Sequence, residues 1–162
     1  MDEIVLRGAA KWPGVPDVFG WLALDRRGNW LLRNGTHNVY ERISNLRLRE
    51  FIGRNYAADR RGRWYFQNGP QRVFVRLAYA PFVLRAEADL LVDHCGVPFQ
   101  AGGAFLDDEG SLLVAGGRGV GLLDDRDLER YVDALGEAAH RLPRIARHEV
   151  PAHFGFVAEP AP

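Results

Sequence analysis

Two short clusters in this chain set guanidinium groups beside indole rings: Arg26, Arg27 and Trp30, then Arg60, Arg61, Arg63 and Trp64, with Tyr65 next to the second. That combination is the chemistry of single-stranded nucleic-acid binding, in which cations meet phosphates and π-faces meet bases. A structural alternative uses the same residues. Each pair of arginines lies at the centre of an Asp-Arg-Arg-Gly turn, where charge is solvated. The Trp then opens the returning strand and points to a core. A third turn on the same template, Asp107-Asp108-Glu109-Gly110, carries the opposite sign. That favours the structural alternative.

Other groups could do chemistry, and each has a plainer role. The run Gly116-Gly117-Arg118-Gly119-Val120-Gly121 is as glycine-rich as a phosphate loop. Phosphate loops open a helix, whose N-terminus holds the anion; here a strand follows, so a hairpin turn is expected. His94 and Cys95 are adjacent, but neighbours on a strand point to opposite faces. They make a poor nucleophile–base pair, and a buried structural thiol is expected. His140, His148, His153 and Glu149 lie near one another in the sequence. Their spacing matches no local metal-ligand motif. Asp107 to Glu109 and Asp124 to Asp127 are acidic, the first as a turn and the second as a helix start. Trp12 opens a loop stiffened by Pro13 and Pro16 and either plugs the core or lines a groove. No catalytic residue, cofactor or metal ligand is assigned.

The elements that position these groups come from a repeat. At a constant offset of 34 the pairs Asp25/Asp59, Arg26/Arg60, Arg27/Arg61, Gly28/Gly62, Trp30/Trp64, Asn34/Asn68, Gly35/Gly69, Val39/Val73 and Arg42/Arg76 are identical. The Asp-x-x-Gly turn and the Asn-Gly step are both hairpin signals. Each unit therefore reads as a three-stranded meander: Phe19–Leu24, Asn29–Arg33 and Val39–Ile43, then Tyr56–Ala58, Arg63–Gln67 and Arg72–Ala78. A weaker third copy begins at Leu106, with Leu112 where the Trp was and a last strand near Val120–Leu123. Strand continues between the second and third copies, at Phe82–Arg85 and Leu90–His94. Ser44 is a candidate cap for a helix carrying Leu48, Phe51, Ile52 and Tyr56. Asp124 or Asp125 caps another, with an apolar stripe of Leu128, Tyr131, Val132, Leu135 and Ala139. The expected fold class is α+β: mostly antiparallel meanders from three diverged βββ(α) repeats, in one closed or layered sheet, with two packed helices.

Composition bounds the rest. A chain of 162 residues is one domain or two lobes sharing a core, and it buries enough surface to need no staple. Residues 1–140 are expected to form the domain, with lobes near 1–81 and 82–140. Residues 141–162, with Pro143, Pro151, Pro160 and Pro162, are expected to form an irregular arm. Phe154, Phe156 and Val157 could add a short strand to a sheet edge. One cysteine excludes an internal disulfide. Nothing resembles a signal peptide or approaches the ~20 apolar residues of a membrane span. A cytoplasmic setting is the default, with no membrane partner. Net charge is zero, yet residues 1–81 carry 14 Lys+Arg against 7 Asp+Glu, and residues 82–162 carry 7 against 14. Either the two fields cancel within the fold, or the basic half meets an anion, a nucleic acid or an acidic partner. Self-association through opposite-charge lobes or sheet edges is a third use of the asymmetry.

The stretches WPGVPDVFGWLALDRRGNW, FIGRNY, DRRGRWYFQNGPQRVFVRLAYAPFVLR and LLDDRDL resemble a family of small proteobacterial proteins known only as a domain of unknown function. Residues 67–73 carry its most specific phrase. In style the chain is also similar to another uncharacterised bacterial family of repeated β motifs, suggested to act in signalling. The resemblance implies a repeat-built, β-rich fold in a bacterial cytoplasm, and it implies no chemistry.

Three functions are weighed. The first is a non-enzymatic binding or regulatory module for a protein or small ligand. The second is nucleic-acid binding through the basic half, with Arg26, Arg27, Trp30, Arg60, Arg61, Arg63 and Trp64 as contacts. The third is an enzyme with a site between the lobes, near His94.

Overall fold

The computed structural model describes residues 1–88 and 90–162. The chain divides into two units. Unit 1 holds Met1–Asp25, Asn29–Ala78 and Gly155–Pro162, and unit 2 holds Arg26–Gly28 and Tyr79–Phe154.

Unit 1 opens with helix α1 (Glu3–Lys11) and a first meander of β1 (Val18–Leu24), β2 (Trp30–Asn34) and β3 (Val39–Arg42). Helix α2 (Leu46–Arg54) follows, then a second meander of β4 (Tyr56–Ala58), β5 (Trp64–Asn68) and β6 (Gln71–Leu77). The six strands form one sheet in the order β3-β2-β1-β6-β5-β4. Both meanders are antiparallel, and β1 joins β6 in parallel at the centre. Leu22, Leu24, Trp30, Ile52, Phe66, Phe74 and Val75 form the core. Phe19 stacks on Phe74 at 4.6 Å. Four of the five residues of β5 are buried, Gln67 among them, so this interior strand is covered on both faces and shows no alternation.

Unit 2 repeats the plan. One meander is β7 (Phe82–Glu87), β8 (Leu90–Asp93) and β9 (Pro98–Phe99); the other is β10 (Gly103–Asp107), β11 (Leu112–Gly116) and β12 (Gly119–Leu123). A 3₁₀ turn at Asp125–Asp127, helix α3 (Leu128–Leu135), strand β13 (Arg144–Ile145) and helix α4 (Val150–Phe154) follow. The sheet order is β13-β10-β11-β12-β7-β8-β9. Here β12 joins β7 in parallel at the centre, and β13 lies parallel beside β10. Leu84, Leu112, Leu113, Val114, Val120, Leu122 and Leu123 make the core.

The architecture is α+β, with two open, mostly antiparallel sheets and four α-helices among the described residues. One sheet, three meanders and two helices were expected. The extra meander is β7–β9: the strand expected at Phe82–Arg85 and Leu90–His94 folds back once more to Pro98–Phe99. Helix α1 escaped notice because it buries only Val5, too little to set an apolar period. The α2 cap is Asn45, not Ser44; its side chain accepts from Leu48 N at 3.1 Å. Tyr56 opens β4 and does not extend the helix. Asp124 caps the second helical run as expected, but α3 stops at Gly136, whose φ of +53° ends it before Ala139.

The two Asn-Gly steps differ. Asn68 pairs with Gln71, leaving Gly69-Pro70 as a two-residue loop. Gly69 has φ +56°, which fits the first central place of a II′ turn. Asn34 pairs with Val39, so its loop holds four residues, and the Asn34 side chain accepts from Thr36 N at 2.9 Å. Within residues 141–162, β13 and α4 form, and Phe154 ends α4 instead of opening a strand. Val157 makes one parallel bridge to Arg63, so part of the tail does pair with its own chain. Among the described residues no helix is long and apolar enough to cross a membrane.

Candidate functional site

The Asp-x-x-Gly turns bring the candidate residues forward. Asp59 closes its turn with its own carboxylate, accepting from Arg61 N and Arg63 N at 2.9 Å each. Asp59 N also donates to Arg63 O at 2.9 Å. Asp25 accepts from Asn29 N at 2.8 Å, and Asp25 N donates to Asn29 O at 3.1 Å. Asp107 accepts from Ser111 N at 2.6 Å and Glu109 N at 3.0 Å. A fourth turn of this kind, at Asp93, was missed. Asp93 accepts from Cys95 N at 2.9 Å and Val97 N at 3.0 Å. The signal was present: Asp93 and Gly96 stand 34 residues beyond Asp59 and Gly62. His94 and Cys95 therefore lie on a turn, not a strand. Burial, helped by the Asp93 charge, pushes the Cys95 thiol up to about 12, which leaves it a poor nucleophile.

The arginine and tryptophan candidates have different surroundings. Trp30 and Trp64 are only 2% and 9% exposed. Tyr56 packs against both rings, at 5.1 and 4.8 Å. Arg63 pairs with Asp59 at 2.8 Å, lies 4.4 Å over the Phe74 ring and donates to Ala161 O. Arg26 lies 4.8 Å over Tyr79 and donates to Ser111 Oγ at 2.9 Å. Arg27 is exposed and stands 3.8 Å from Asp124. Arg60 and Arg61 are exposed.

Around Arg26, unit 2 builds a network that the sequence did not announce. The Tyr79 hydroxyl donates to Asp107 Oδ2 at 2.6 Å, and the Arg147 guanidinium also lies over the Tyr79 ring, at 5.0 Å. Burial first, and then the Asp107 charge, raise the Tyr79 phenol well above its ordinary range. Burial works to raise Asp107 too, but Tyr79 and the turn's N–H groups hold it below its ordinary value. Asp124 is held down to about 2 by the Arg126 guanidinium, against the opposing push of burial. Arg85 likewise lowers Asp127. These carboxylates are locked as anions. None is poised to exchange protons near neutrality.

The remaining candidates fall in ordinary places. Gly116 ends β11 and Gly119 opens β12, so the glycine run is a hairpin turn. Trp12 is 54% exposed and meets Lys11 at 4.7 Å; it does not plug the core. His148, Glu149 and His153 share a cleft in unit 2. Among the described residues no group of three or more His, Cys, Asp or Glu is placed to hold a metal ion.

Solved structures share the fold. A DUF1285 family protein from Silicibacter pomeroyi DSS-3 superposes with a TM-score of 0.53 at 17% identity, over 77% of this chain and 74% of that one. A DUF1285 family protein from Shewanella baltica OS155 gives 0.50 at 14% identity, over 73% of this chain and 94% of that one. At such identities the likeness extends to fold alone. No curated protein matches the chain. The model of the family DUF2944, described as "Protein of unknown function (DUF2946)", matches residues 1–161, and the protein belongs to that family.

Proposed function

We propose that the protein is a non-enzymatic binding module that takes an apolar, acidic segment of a partner protein on unit 1. The observation that carries this is where its apolar surface lies. Leu32 and Val39, on one face of the adjacent strands β2 and β3, are 47% and 50% exposed. Leu48 of α2, also exposed, lines one cleft with Leu32. Contiguous apolar side chains left in water usually meet another molecule.

A cleft of about 400 Å³ runs among Leu32, Ile43 and Leu48, with Arg33 and Arg42 in its walls. Arg47 is exposed on α2. Glu41, the acidic residue of the same walls, accepts from Asn34 Nδ2 at 2.9 Å and offsets one of these cations. Apolar floor and cationic rim together select an apolar segment flanked by carboxylates.

Selection from a random peptide display library tests this. Enrichment of sequences with paired apolar residues between Asp or Glu is expected, lost on Leu32→Glu and weakened about tenfold on Arg42→Glu. No enrichment, or enrichment that survives both changes, would sink the idea. The nucleic-acid alternative keeps its exposed cations Arg27, Arg60 and Arg61 but has lost its stacking platform, because Trp30 and Trp64 are buried.

A further inference from the structure

A second cleft, wholly within unit 2 and independent of the unit 1 surface, has chemistry of its own. It measures about 630 Å³, and its walls include Phe105, Pro143, Arg144, His148, Glu149 and His153. The chain around it is held firmly. Leu106 N donates to Pro143 O at 2.9 Å, and β13 pairs in register with Leu106 and Asp107. Arg147 N donates to Asp108 Oδ1 at 2.8 Å, its guanidinium pairs with Glu109, and Val150 is fully buried. These anchors set the backbone on either side of one opening. Phe105 meets His153 and Phe154 edge-on at 5.6 and 5.3 Å, which makes one wall rigid and aromatic.

Several arginines of unit 2 are already engaged. Arg85, Arg118, Arg126 and Arg147 each hold a carboxylate. Among the described residues the Arg144 side chain makes no ion pair or hydrogen bond, and neither does the Glu149 side chain. They line the same cleft yet do not neutralise each other. A cation and an anion set apart beside an apolar wall match a ligand carrying both charges and an apolar body. A carboxylate would take the Arg144 fork, an ammonium would take Glu149, and the body would lie on Phe105 and Pro143.

We propose that this cleft binds an α-amino-acid-like zwitterion with an apolar side chain. The test is a ¹H–¹⁵N NMR titration of the full chain with L-phenylalanine. 3-Phenylpropionate serves as the acid-only probe and phenethylamine as the amine-only probe. Saturable shifts at Ala152 and His153 are expected with phenylalanine, and at least about tenfold weaker binding of either half-probe. Arg144→Gln and Glu149→Gln should each weaken phenylalanine by a similar factor, and Arg141→Gln should not. All three positions are exposed, and a thermal melt confirms that each variant folds. No saturable shift with phenylalanine overturns the proposal. So does 3-phenylpropionate binding as tightly as phenylalanine and indifferently to Glu149→Gln, which would reveal a plain anion patch.

Discussion

The turns at Asp25 and Asp59 have the same four residues and opposite fates. Both close through an Asp carboxylate and a glycine of nearly equal φ, +77° at Gly28 and +75° at Gly62. Beyond the backbone they part. In the first turn Arg26 is drawn over Tyr79 and onto Ser111, and Arg27 faces Asp124. In the second, Arg60 and Arg61 stay in water and make no side-chain hydrogen bond or ion pair among the described residues. The backbone of the turn is a local matter, because its hydrogen bonds lie within five residues. The role of an arginine on that turn depends on what the fold sets opposite it. A cluster that repeats in sequence need not repeat in function.

Substituting the two glycines separates the turns most sharply. A Cβ at Gly62 would run into the carbonyl oxygen of Gly155, which is backbone. A Cβ at Gly28 would meet His94 Cβ at 2.8 Å; that atom moves only with its own backbone, but the overlap is the smaller of the two. Gly62→Ala should cost about 3 kcal/mol and Gly28→Ala about 1–2 kcal/mol, both including the strain of positive φ. Urea denaturation reads the difference. Equal losses would mean that the shared φ alone sets the cost.

Next come the arginines. Arg26→Ala removes a bond to a buried hydroxyl and a guanidinium stacked on Tyr79, so a loss of about 1–2 kcal/mol is expected. Arg60→Ala should stay within about 0.5 kcal/mol. If the two variants unfold at the same urea concentration, the network around Tyr79 contributes nothing to stability.

The smallest effect is in acid. Asp124, which faces Arg27 in the first turn's surroundings, has its folded value lowered from 3.8 to about 2. A carboxylate with a depressed value stabilises the fold above its unfolded value and loses that contribution as pH falls through the folded one. Stability should therefore be flat above about pH 5 and drop between about pH 4 and 2. Asp124 should supply roughly 1 kcal/mol of that drop, because Arg126 is half open to water. Asp124→Asn should flatten this part of the curve measured by denaturation from pH 5 to 2; an unchanged slope would place the acid sensitivity at other carboxylates.

Much of the fold was legible because its signals are local. The Asp-x-x-Gly turns, the strands beside them and the Asp124 cap follow from hydrogen bonds among near neighbours. What was not legible depends on distant partners. Helix α1 is held through Asp2, whose N–H donates to Asn55 Oδ1 at 2.7 Å, 53 positions away. The meander β7–β9 carries no Trp and no Asn-Gly, so only its Asp93 turn betrays it. The candidate site fared worse. Arg63 reads as an exposed cation in sequence and is clamped between Asp59 and Phe74 in the fold. Arg144 and Glu149 fall in a proline-punctuated stretch with no period, and only the parallel pairing of β13 with β10 puts them around one cleft.

The sequence by itself determined the turns, the three-strand meanders and the burial of Trp30 and Trp64, because those depend on short-range hydrogen bonding and on each of these two rings opening a strand next to its turn. Tertiary structure alone decided that the meanders sort into two sheets with parallel centres, that Arg26 belongs with Tyr79 and Asp107, and which cations are left unpaired. Those outcomes turn on which strands meet edge to edge and which charges come within a few ångströms. A linear order of residues does not encode such distances.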